Sequence, residues 1–137
     1  MVTLLTGKKG SGKTKVLIER ANSVARSSDG SVVVIEKGQK LTYDLSHKAR
    51  LVNADAYSIS GVDALFGFAS GICAGNYDLT DMFIDGTLKI IGDDKETLIK
   101  FVNKIEALTK EANTNIILSV SASNEDVPAE LAHFIAK

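Results

Sequence analysis

Apolar positions along the chain follow two rhythms. Val2-Thr3-Leu4-Leu5-Thr6 is a short apolar run, and Ser31-Val32-Val33-Val34-Ile35 is a continuous β-branched one. A run of that kind is expected of a strand covered on both faces. Asp81-Met82-Phe83-Ile84-Asp85 reads as a short strand ending in an acid, and Asn115 to Val120 as a further buried strand. Between these runs the period lengthens. Val16, Leu17, Ala21, Val24, Ala25 and Ser28 recur at helical spacing over residues 13–28, with Lys15, Glu19, Arg20 and Arg26 on the wet face. Ser28-Asp29-Gly30 stops that helix. A second helix is expected from Gly61 to Gly75, apolar almost all round and therefore buried. Its Gly67, Gly71 and Gly75 share one face, which predicts either tight packing on the sheet or a contact between protomers.

A third helix starts at Gly92-Asp93-Asp94, with Asp93 and Glu96 at capping-box spacing. Leu98, Phe101, Val102, Ile105, Leu108 and Ala112 form its stripe, and Lys100, Lys104 and Lys110 face water. Pro128 suits the start of a short last helix through Ile135. Residues 41–45 and 50–54 form either a hairpin or a loop with one edge strand. Strands alternating with helices predict an α/β fold of three layers, a mainly parallel central sheet with helices on both faces. At 137 residues the chain is expected to form a single domain over 1–137.

Composition narrows the function classes. The chain is 45% hydrophobic and 24% charged, with a net charge of -1. That balance gives no electrostatic footprint for nucleic acid or an anionic membrane. The longest apolar stretch, residues 59–74, is too short to span a bilayer and is interrupted by Asp63. No signal peptide is read before the first motif, and one cysteine, Cys73, fits a reducing compartment. A cytoplasmic protein is therefore expected. His47 and His133 stand alone, without a second ligand at zinc spacing.

The chemistry lies in residues 7–14, Gly7-Lys8-Lys9-Gly10-Ser11-Gly12-Lys13-Thr14, followed by Lys15. They follow the first strand and open the first helix, the setting that makes G-x-x-x-x-G-K-[ST] a phosphate-binding loop, or Walker A motif. Its glycines let successive N–H groups point into one concavity, and the helix start adds free N–H groups and a positive dipole end. Lys13 would reach the β- and γ-phosphates of a nucleoside triphosphate such as ATP, and the Thr14 hydroxyl would hold Mg²⁺. Lys8, Lys9 and Lys15 add positive charge around the loop.

Such a loop works with an acid at the end of a neighbouring strand. Asp85, after three apolar residues, is the candidate, as a metal and catalytic residue beside Thr14 and Lys13. Gly86 stands where many ATPases carry a Glu that activates the attacking water. Glu36, leaving the second strand on the same edge as the loop, is the candidate base.

GKKGSGKT, VVVIEKG and MFIDG together resemble the recombinase-like, additional-strand branch of P-loop NTPases, and the chain is also similar to small bacterial P-loop ATP-binding proteins. The resemblance spans roughly residues 2–121. It implies a nucleotide-binding protein that is a slow ATPase or a nucleotide-dependent switch, with ATP and Mg²⁺ as cofactors and a protein partner or second copy of the chain. In the additional-strand ATPases a polar residue at the end of a further strand senses the γ-phosphate, and the resemblance implies that role for Ser119 or Ser121. Arginine occurs only at Arg20, Arg26 and Arg50. That scarcity disfavours the alternative, a small-molecule kinase with an arginine-bearing lid.

Overall fold

A computed structural model of the chain describes residues 1–41 and 44–136. Elements follow in the order β1 (Val2–Thr6), α1 (Lys13–Ser27), β2 (Ser31–Glu36), β3 (Ala49–Asn53), a 3₁₀ turn (Ala54–Tyr57) and α2 (Val62–Gly75). After them come β4 (Leu79–Ile84), α3 (Thr87–Ile91), α4 (Lys95–Ala112), β5 (Asn115–Val120) and a second 3₁₀ turn (Ala129–Phe134).

The five strands form one sheet in the order β1-β5-β4-β2-β3, and every pairing is parallel. Val2 lies beside Ile116 and Thr6 beside Val120, so β1 and β5 run in step over their whole length. Crossover helices join the other strands in sequence, while β2 and β3 are linked by residues 37–48 without a helix among the described residues; parallel neighbours cannot be joined by tight turns. All carboxyl ends therefore meet along one edge, the place where open α/β sheets bind ligands.

Successive strand residues enter different cores. Leu5, Val32, Val34, Phe83 and Ile117 face α1, whose Leu17, Ala21 and Ala25 cover them. Leu4, Val33, Ile35, Ile84 and Ile116 face the opposite way, onto Leu65 of α2, Ile90 of α3 and Phe101 of α4. The molecule is thus a three-layer α/β fold, as the alternating pattern predicts. Phe101 is wholly buried. Burial of a side chain of that kind is worth about 1.5–3 kcal/mol.

Several expectations change in detail. β3 is an edge strand parallel to β2, so residues 50–54 follow the expected single edge strand rather than a hairpin arm. The other arm, residues 41–45, falls partly on residues 42 and 43, which lie outside the described residues. The cap of α4 is Asp94, not Asp93: the Asp94 side chain accepts from Thr97 N–H at 3.0 Å. The last helix is a 3₁₀ turn, after which Ile135 bridges to Leu4 on the outer side of β1.

α2 also departs from the expected buried helix. Its core line is Leu65, Ala69 and Cys73, while Gly67, Gly71 and Gly75 are exposed. A Cβ added at any of these three would meet nothing within 4 Å. The glycine face therefore does not pack on the sheet. Among the described residues, no helix is long and apolar enough to cross a membrane.

Candidate functional site

The loop from Gly7 to Gly12 joins β1 to α1 through backbone that an ordinary side chain would resist. Gly7, Gly10 and Gly12 all have positive φ, at 148°, 87° and 89°. At Gly7 a Cβ would also fall 2.2 Å from the Ser11 hydroxyl oxygen. Glycine at these places is a steric requirement. The base of the loop is tied down on one side, where Gly7 N–H donates to Ala122 carbonyl at 2.8 Å and Thr6 hydroxyl bonds the Asn124 side chain. Its crown closes by Ser11 N–H to Lys8 carbonyl at 3.0 Å. Gly12 then caps α1 without a side-chain acceptor, and no acid stands in the first turn. The free N–H groups and dipole of that turn are thus left for an anion.

Lys13 and Thr14 open α1, while Lys8, Lys9 and Lys15 are exposed around them. Lys13 Nζ donates to its own loop at Lys8 carbonyl, 3.5 Å away. Burial lowers the Lys13 pKa; the Asp85 charge opposes that and the Lys89 charge adds to it.

Asp85 follows the last residue of β4 and is the hub of the site. Thr14 hydroxyl donates to its two carboxylate oxygens at 3.2 and 3.5 Å. Ser119 hydroxyl donates to Asp85 Oδ1 at 2.7 Å and accepts from Gly86 N–H at 2.7 Å. Asp85 N–H is held by Ile35 carbonyl of β2 at 2.8 Å. The carboxylate is thereby aimed at the start of α1, across a gap that β5 fills.

Glu36 is buried at the carboxyl end of β2, and its Oε1 accepts from Leu41 N–H at 3.3 Å. Burial pushes its pKa up, and the Asp85 charge works in the same direction. The N–H groups of Leu41 and Lys40 and the Lys40 charge work against it. The structure thus brings Thr14 and Asp85 into direct contact, with Lys13 and Glu36 in electrostatic reach of Asp85.

The donor set fits a hard divalent cation. One hydroxyl and one carboxylate face each other, and Mg²⁺ is commonly held by one or two such oxygens with substrate phosphates completing its shell. Among the described residues no group of three or more His, Cys, Asp or Glu is placed to bind a metal unaided.

Three further residues, Ser119, Ser121 and Lys89, lie around these groups. Ser119, a sensor candidate in the sequence, spends its hydroxyl on Asp85 and Gly86, so it orients the acid. The parallel register already hints at this: Ile84 lies beside Leu118, which puts Asp85 next to Ser119. Ser121 lines a hollow with Lys9 of the loop and Lys89 of α3. Lys89 carries no sequence motif; only its fold neighbours reveal it. Burial pushes the Cys73 thiol up, away from the range of a reactive thiolate.

Comparison with protein-family models and with curated protein sequences finds no match to this chain.

Proposed function

We propose that the chain binds a nucleoside triphosphate, ATP in the first instance, with Mg²⁺, and acts as a slow ATPase or nucleotide-dependent switch. The observation that carries this reading is the Thr14–Asp85 contact at 3.2 Å beside Lys13. It joins the helix after the glycine loop to the acid at the end of a different strand. The strand order adds support for the additional-strand P-loop branch, because β5 lies between the loop strand β1 and the acid strand β4.

In this reading the loop N–H groups and Lys13 hold the phosphates, and Thr14 and Asp85 hold the metal. Mg²⁺, when bound, would neutralise charge on the terminal phosphate oxygens. Ser119 keeps Asp85 aimed at Thr14. Glu36 takes a proton from the attacking water; a raised pKa suits that role. As a switch the chain would act on another protein or on a second copy of itself.

Isothermal calorimetry tests the assignment. Lys13→Ala should weaken Mg-ATP binding about 10- to 150-fold, since a hydrogen bond to a charged group is worth about 1.5–3 kcal/mol. Its circular dichroism spectrum should stay that of the wild type. Equal affinities for both proteins would refute nucleotide binding at this loop.

A further inference from the structure

The glycine loop lies between two hollows. One, of about 210 Å³, is lined by Ser11, Gly12, Lys13, Val16 and Ala136 on the α1 side. The other, of about 400 Å³, lies on the α3 side and is lined by Lys9, Leu88, Lys89, Gly92, Asp93 and Ser121. α3 starts directly after Asp85, with Gly86 as its cap in a left-handed conformation. The Lys89 stem folds back over that cap: a Cβ at Gly86 would lie 3.3 Å from Lys89 Cδ and 3.8 Å from its Cγ. This route carries the Lys89 side chain from the acid strand towards Lys9 and Ser121. Neither Lys9 nor Lys89 is in an ion pair among the described residues. Lys89 is also close enough to influence Lys13.

We propose that Lys89 recognises the terminal phosphate, so that the site distinguishes a nucleoside triphosphate from a diphosphate. The inference rests on the nucleotide-binding reading above. Thr14 and Asp85 would hold a metal ion at the start of α1, where it would neutralise charge on the phosphates of a bound triphosphate. A terminal phosphate reaching past Asp85 towards α3 would meet the hollow that Lys89 and Lys9 line. The α1 hollow, lined by Ser11, Gly12 and Lys13, would be left for the rest of the nucleotide. Lys89 is a binding residue supplied from the same chain, in a protein with no arginine after residue 50.

Calorimetry with Mg-ADP and a non-hydrolysable Mg-ATP analogue separates the possibilities, using wild type, Lys89→Ala, Lys89→Arg and Lys13→Ala. Lys89→Ala should weaken the triphosphate about tenfold or more and the diphosphate less than about twofold; Lys89→Arg should largely restore the ratio. Lys13→Ala should weaken both nucleotides. If Lys89→Ala leaves both affinities unchanged, or lowers both equally, while Lys13→Ala still weakens both, the Lys89 inference fails and nucleotide binding stands. If the wild type binds neither nucleotide, both readings fall. Melting curves of each variant establish that the fold is intact, since Lys89 is exposed.

Discussion

Asp85 shows how much one carboxylate depends on its neighbours. The direction of that carboxylate comes from residues far away in sequence, Thr14 and Ser119. Asp85→Asn keeps an accepting oxygen but removes the charge that a cation needs. Nucleotide affinity should then lose most of its Mg²⁺ dependence, while affinity in excess chelator changes little; calorimetry with and without Mg²⁺ decides it. A parallel fall in both would make Asp85 purely structural. Glu36 allows a different measurement. Its pKa is raised, chiefly by burial, from an ordinary value of 4.5. Between that value and the raised one, the folded chain holds a proton that the unfolded chain releases. Stability from this group is therefore lost as pH rises through that window. Glu36→Gln cannot titrate, so its melting temperature relative to wild type should climb as pH is taken from 4.5 to 8. A flat difference across that range would mean that Glu36 is not desolvated.

At the scale of elements, α2 carries the clearest consequence. Its glycines face open space in helical backbone, so they cost helix stability without serving a close approach. Gly71→Ala should raise the unfolding free energy by about 0.5–1 kcal/mol, measured by urea denaturation. A loss instead would reveal contacts on that face. The same helix shows where sequence reading stops. It is apolar on nearly every side, so periodicity could place it but not orient it. The strands were legible because Val32 to Ile35 and Ile116 to Leu118 are buried on both faces and leave a continuous run. The loop was legible because its three positive-φ turns demand glycine. α3 was not, since residues 87–91 span little more than one turn and show no period. Ser119 and Lys89 needed the strand register and the fold around Gly86. The capping acid was misplaced by one residue because Asp93 and Asp94 are chemically equal until the backbone chooses between them.

For the molecule as a whole, the strand order gathers the glycine loop, Asp85 and Glu36 on one edge of the sheet, with Gly86 where a water-activating Glu is often found. The same chain supplies Lys13 and Lys89 there, and no arginine. Turnover by the isolated protein should accordingly stay well under about 1 s⁻¹, below the usual enzyme range, in a phosphate-release assay. Fast turnover would contradict the switch reading.

The partnership of β1 with β5 also orders events in time. Val2 to Thr6 pair with Ile116 to Val120, and Gly7 hangs from Ala122. A ribosome delivers the loop more than a hundred residues before the strand that holds it in place. Until then β1 is an apolar segment with an unpaired edge, open to wrong partners. Closing so long a stretch of chain places folding among the slower topologies. Nascent chains arrested at residue 112 should therefore fail to retain triphosphate, whereas those arrested far enough on that β5 and Ala122 have cleared the exit tunnel should retain it. The loop is made early and shaped late.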